Sequence, residues 1–250
     1  GVDFEKIKGD LQEIDQVVER LVSHFEGKGS KVIILSEYGI NNVSKPVHLN
    51  RILREAGYIA LREEQGLELL DPGASEAFAV SDHQIAHIYC KNVKEIKALF
   101  EKVPGIAKVL SGKELDEYQI AHERCGDIVL VADSDKWFTY YYWLDDAKAP
   151  DFARCVDIFK KPGYDPVEMF MDPKNPLIKL RAAYKLARKL LGFRYRMDVI
   201  PLDATLVKGS HGSPFCDEAY YPVFISSQNI SQQIQPTQVY QYIWETIFPK

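Results

Sequence analysis

The chain has 250 residues, 46% of them hydrophobic and 27% charged, which is ordinary for a globular protein of one large domain or two smaller ones. A formal net charge of -5 at pH 7 and a pI of about 5.7 argue against broad binding of nucleic acid through phosphate contacts. No apolar run approaches the ~18 residues needed to span a bilayer, so no membrane partner is expected.

Cys90, Cys125, Cys155 and Cys216 form no CxxC pair, which argues against a zinc ribbon or a dithiol redox site. Scattered thiols in a chain of this length point to a cytoplasmic setting. There is no signal-peptide pattern, and the chain starts at Gly1 rather than Met, so an upstream segment is expected.

In chain order, residues 3–26 read as an amphipathic helix, with Leu11, Ile14, Val17, Val18, Leu21, Val22 and Phe25 on one stripe. Gly27 and Gly29 end it. Val32 to Leu35 then form an unbroken apolar run, the pattern of a strand buried on both faces of a parallel sheet. Ser36-Glu37-Tyr38 follows at its carboxyl end, where ligands gather in open α/β sheets, and Gly39 allows a sharp turn. A helix leading into a strand is half of a βαβ crossover, so the fold reads as opening in its middle.

Pro46 is expected to start the next helix, which Gly57 stops. Strand-like pieces follow at 58–62, 67–70, 76–81 and 85–90. Val93 to Lys102 is a predicted helix, 106–110 a strand, Lys113 to Tyr118 a short helix and Ile128 to Ala132 a buried strand. Residues 133–173 lack periodicity but hold Trp137, Phe138, Tyr140, Tyr141, Tyr142 and Trp143, which are expected to anchor an irregular segment on the core. Leu177 to Leu191 reads as a helix with a basic, solvated face, Val199 to Leu202 and Pro222 to Ile225 as strands, and Gln238 to Phe248 as a closing helix.

Three polar constellations could carry chemistry: Glu37-Tyr38, Asp82-His83 with His87, and Gly209-Ser210-His211-Gly212. Histidine and carboxylates from separate strand ends are the usual makings of a zinc or other divalent site. HExxH, a glycine-rich phosphate loop and GxSxG are all absent. Each constellation has a plainer reading as a polar loop, a hairpin tip or a surface hydrogen-bonder.

Their order resembles the type I phosphodiesterase/nucleotide pyrophosphatase branch of the alkaline phosphatase superfamily. That family's pattern is an apolar strand ending Ser-Asp-His-Gly, an inserted cap, and a late His-Gly loop before another strand. Here the strand ends Ser36-Glu37-Tyr38-Gly39, and the late loop is Ser210-His211-Gly212-Ser213. Glu13 to Val18, Pro104-Gly105-Ile106 and Arg124 to Ile128 also resemble family segments.

The resemblance implies an α/β fold, part of a three-layer α/β/α sandwich. Residues 1–45 and 174–250 would form its core and 46–173 an inserted α+β cap. It implies a hydrolase of phosphodiester or nucleotide pyrophosphate bonds with a small-molecule phosphoester or nucleotide substrate. Two divalent metal ions, typically zinc, would polarise the phosphoryl group and activate a Thr or Ser nucleophile. Glu37 then stands for the second-metal Asp and His211 for the last first-metal His, with Tyr38, Asp82 and His83 as further candidate ligands. A neutral phenol is a poor zinc ligand, so Asp82 or His83 could replace the imidazole that Tyr38 displaces. The nucleophile, a first-strand Asp and an Asp-x-x-x-His pair have no counterpart before Glu37. The chain by itself is therefore expected to be inactive. A scaffold that has lost its site and serves as a binding module is the alternative.

Overall fold

The computed structural model describes residues 3–227 and 233–248. Its helices and strands are mixed along the chain, as in an α/β fold: α1 (Lys8–Glu26), β1 (Ile33–Leu35), β2 (Asn41–Asn42), β3 (Lys45–Val47), α2 (Leu49–Glu55), β4 (Leu61–Glu64), β5 (Leu67–Leu70), β6 (Ala77–Asp82) and β7 (Ile85–Cys90). Then come α3 (Val93–Phe100), β8 (Ile106–Ser111), α4 (Lys113–Glu117), β9 (Ile128–Ala132), β10 (Lys136–Phe138), α5 (Ile178–Leu190), β11 (Gly209–Ser210), β12 (Phe224–Ser226) and α6 (Val239–Ile247). Contacts divide the chain into two compact units, Asn41–Cys216 and the residues on either side of it. No helix among the described residues is long and apolar enough to cross a membrane.

The larger unit is built on an antiparallel four-stranded sheet in the order β6-β7-β9-β8. Alternation puts Ala77, Ala79 and Ser81 of β6 and Ala86 and Ile88 of β7 on a buried face, while all five residues of β9 are buried. Leu49 and Leu53 of α2 and Ile96 and Phe100 of α3, each fully buried, complete that core. The outer edge of β6 does not face water. Buried Asn50 accepts from Ala79 N and donates back to Ala79 O, both at 2.8 Å, and Tyr164 N donates to Ser81 O.

Trp137 to Trp143 pass through this core with every residue at or below 1% exposure. Buried irregular backbone must find partners for its carbonyls. Here side chains supply them: Ser81 donates to Thr139 O, Asn50 to Tyr140 O, Arg54 to Tyr142 O and Arg51 to Trp143 O. Arg54 also grips buried Glu68 with two bonds of 2.5 and 2.9 Å, joining α2 to β5. The expectation that this aromatic run anchors an irregular segment therefore describes what is seen.

Other elements differ from expectation. Pro46 does not start a helix; it lies in β3, which pairs in parallel with β10, and the helix begins three residues later. That pairing is 91 residues away in sequence and invisible to local pattern. Residues 199–202 form no strand, yet Val199, Ile200 and Leu202 are buried.

In the smaller unit, β1 is not a doubly buried strand of a parallel sheet. It has three residues, pairs antiparallel with β12, and leaves Leu35 49% exposed. Apolar side chains set its tendency to be a strand, but β12 is its sole partner strand among the described residues. The stripe of α1 is likewise open, with Leu11, Ile14, Leu21 and Phe25 all exposed.

Candidate functional site

Asp82-His83-Gln84 makes the tight turn between β6 and β7, and His83 takes it in a left-handed backbone conformation with φ of 56°. Histidine tolerates that region better than most side chains, but the conformation still costs energy and recurs at functional positions. Gly163 is pressed so closely on Ser81 that a Cβ would sit 3.0 Å from the Ser81 carbonyl oxygen. This brings Tyr164 down beside the turn, with ring centroids of Tyr164 and His83 4.4 Å apart. On the same imidazole rests His211, at 3.9 Å and 37°. The turn and the late histidine loop, far apart in sequence, are thus side by side in space.

The residue that holds them together is Gln84, fully buried. Its backbone N–H donates to His211 O at 3.1 Å, and its side-chain oxygen accepts from Ser213 N at 3.3 Å. Its amide nitrogen donates to Lys136 O at 2.8 Å and Ser134 O at 3.0 Å, with Asp133 O at 3.4 Å. Ser213 Oγ in turn donates to Ala132 O. The β11–β2 pair, Gly209 with Asn42 and Ser210 with Asn41, fixes the other side of the loop, and Asn41 Nδ2 donates to Ser134 O. Gly212 bends the chain there with φ of 108°. Gln84 is not among the residues that the sequence singles out. A glutamine buried among backbone carbonyls has no local sequence signature.

His83 Nδ1 is buried with no hydrogen-bond partner among the described residues. Its Nε2 faces Asp82 Oδ1 at 3.8 Å. Burial above all, and then the charge of His211, hold its pKa down at about 4 against a modest opposing pull from Asp82. The neutral imidazole is the form that ligates metal or accepts a proton. His48 is also held near 4, mainly by burial and then by Arg51. His87 lies just outside; its Nδ1 accepts from Gly126 N at 3.1 Å, with Cys125 Sγ at 3.6 Å, and burial lowers its pKa too.

These shifts fix a pH dependence. In the unfolded chain both His48 and His83 take up protons below about pH 6.5, whereas in the folded chain they stay neutral down to about 4. Unfolding between those values binds up to about two extra protons, so stability is full above the upper value and is lost as pH falls through the window. The urea midpoint is expected to drop between about pH 7 and about pH 5, and H83N is expected to flatten the slope. An H83N slope equal to the parent's would show that His83 is not desolvated.

Glu37 and Tyr38 belong to the smaller unit, where the end of β1 is clamped on both sides of them. Ser36 N donates to Val223 O and Ser36 Oγ accepts from Val223 N, both at 3.0 Å. At Gly39 a Cβ would lie 1.7 Å from the Tyr220 carbonyl oxygen, so only glycine fits. Between these clamps both side chains are exposed, Tyr38 at 46%.

Imidazole and carboxylate are the right donor chemistry for zinc, and the orphaned Nδ1 of His83 is suited to a ligand. The number of donors gathered is not sufficient. Among the described residues no group of three or more His, Cys, Asp and Glu is placed to hold a metal ion. The larger unit brings together His83, His211 and Asp82, and the smaller carries Glu37 and Tyr38.

The sequence profile of the type I phosphodiesterase / nucleotide pyrophosphatase family matches residues 1–165, and the chain belongs to that family. Among curated proteins there is no match. Two solved structures that it resembles are those of phosphonoacetate hydrolase from Sinorhizobium meliloti 1021. With the complex of phosphonoacetate it shares 19% identity at a TM-score of 0.36, over 49% of this chain and 31% of that one. With the phosphonoformate complex the values are 21%, 0.37, 53% and 34%. The matched part is thus about a third of the length of those chains.

Proposed function

We propose that this chain supplies part of the active site of a hydrolase acting on phosphodiester or nucleotide pyrophosphate bonds. Membership of the phosphodiesterase family supports this, and the observation that carries it is His83, whose buried Nδ1 has no hydrogen-bond partner among the described residues, packed against His211. In this reading Glu37 and His211 are ligands of two divalent ions, with zinc favoured by the donor chemistry. His83, with Asp82 beside it, provides the imidazole that Tyr38 does not. Gln84 and Ser213 position the His211 loop and touch no substrate. The substrate is a small phosphoester or nucleotide rather than nucleic acid or a membrane lipid, and the compartment is the cytoplasm.

Zinc content and turnover of a chromogenic nitrophenyl phosphodiester by the intact protein test the reading. Stoichiometric zinc is expected, and H83A or H211A should weaken zinc affinity by more than about tenfold. If H83A changes neither zinc content nor turnover, His83 has no part in the site. The 250-residue chain by itself is expected to be inactive, and absence of both bound zinc and turnover in a full-length version that carries the nucleophile would sink the assignment. It would leave a binding module on the same scaffold, which the Glu37 and Tyr38 replacements favour.

A further inference from the structure

On the larger unit lies a cavity of about 460 Å³ that none of Asp82, His83, Gln84 and His211 lines. That is within the range of roughly 300–1,000 Å³ typical of small-molecule sites. Three cations line it, Arg51, Arg154 and Lys174, together with three acids, Asp146, Asp172 and Asp203. The formal charges cancel, but the hydrogen-bonding capacities do not.

In each acid one carboxylate oxygen is already engaged, at least in part by its own stretch of chain. Asp146 Oδ1 accepts from Trp143 Nε1 at 2.9 Å and from Arg51 Nη2 at 3.2 Å. Asp172 Oδ1 accepts from Lys174 N at 3.0 Å. Asp203 Oδ1 accepts from Thr205 N and its hydroxyl, at 3.1 and 2.5 Å.

The cations keep donors to spare. Arg51 is held by Trp143 O at 2.7 Å and by Asp146, which leaves Nη1 without a partner among the described residues. Among the described residues Arg154 spends only Nη2, on Asp146 O at 3.3 Å. The ammonium of Lys174 has, among the described residues, only a long contact of 3.7 Å to Asp203 Oδ2. A guanidinium has five N–H donors and an ammonium three, so open donors outnumber open acceptors.

The wall is also rigid. His48 bonds through Nδ1 to the Thr139 hydroxyl at 2.8 Å and stacks on buried Tyr141 at 5.8 Å. Its imidazole is neutral at physiological pH and adds a hydrogen-bonding edge without charge. Arg51 lies over the same Tyr141 ring at 5.8 Å. Arg51 is thus fixed in place before any ligand arrives, which lowers the entropic cost of binding.

We propose that this cavity binds a small anionic molecule through a phosphate or carboxylate group, gripped by Arg51, Arg154 and Lys174. It is a second site, separate from the His83–His211 turn, and it does not depend on the hydrolase reading. Inorganic pyrophosphate and citrate are the probes, titrated calorimetrically into the full chain freed of metal with a chelator. At least one is expected to bind saturably with Kd below about 1 mM. The double variant R154Q/K174Q changes two exposed side chains, so folding is preserved, and it should weaken binding by more than about tenfold. H83A should leave Kd within about twofold. Preference for pyrophosphate assigns the site to phosphates, and preference for citrate to carboxylates. The proposal is overturned if neither probe saturates or if R154Q/K174Q binds as tightly as the parent. It is overturned equally if H83A abolishes binding that R154Q/K174Q retains, since the anion then sits at the histidines.

Discussion

Trp143→Ala is expected to destabilise the larger unit by about 3–5 kcal/mol, the usual range for removing a large buried aromatic. Trp143 is fully buried, and its ring meets Tyr141 at 4.5 Å, Tyr142 at 5.4 Å and Tyr140 at 5.6 Å. These three tyrosines cannot close the gap, because the carbonyls of Tyr140 and Tyr142 are tied to Asn50 and Arg54. The lost volume therefore stays as a cavity and adds to the transfer term. Asp146 also loses its bond from Trp143 Nε1. For a unit of this size the thermal midpoint should fall by about 6 °C or more. W143F keeps most of the ring volume and should cost less than half as much. A Trp143→Ala variant within about 1 kcal/mol of the parent would mean that the aromatic run is not packed as described.

The contrast between Trp143 and Gln84 shows what the sequence discloses. Six aromatics within seven positions announce their burial, because nothing but a core can accommodate so much apolar surface. The hairpin of β6 and β7 is equally legible: the strand-like runs at 76–81 and 85–90 match both strands to within a residue, and the polar residues between them mark the turn. β9 is read residue for residue, since an unbroken apolar run of five with turn signals around it suits an inner strand.

What fails is whatever depends on a remote partner. Pro46 was expected in a helix and lies in a strand because residues 136–138 pair with it. Val32 to Leu35 have the apolarity of an inner strand, but only β12 pairs with them among the described residues. In the candidate site, the chemistry of Glu37, His83 and His211 could be suspected from residue type. The adjacency of His83 and His211 could not. It is made by Gln84, whose partner Ser213 is 129 residues away and whose three carbonyl acceptors lie at 133–136. A family pattern supplies order along the chain, and the hydrogen bonds of one glutamine supply proximity.

That dependence makes Gln84→Glu the sharpest single test of the site's architecture. The exchange preserves shape and keeps an oxygen to accept from Ser213 N, but it removes the –NH₂ that donates to Lys136 O, Ser134 O and Asp133 O. An ionised carboxylate would face three carbonyl oxygens in a fully buried position, so the acid should be forced toward its neutral form. A folded pKa raised by about three units above the ordinary value near 4.3 corresponds to about 4 kcal/mol lost at neutral pH. The sign follows from linkage. With the folded pKa above the unfolded one, the penalty is absent below the unfolded value and grows as pH rises toward the folded value. Q84E should thus recover relative to the parent as pH falls from about 7 to about 4, opposite in direction to the loss driven by His48 and His83. Q84L forfeits the same donors without adding charge, so its deficit should not vary with pH. Urea midpoints of the three proteins across that window decide the matter. Parallel curves for Q84E and Q84L would mean that position 84 is open to water, and with it the loop that carries His211 would lose its anchor.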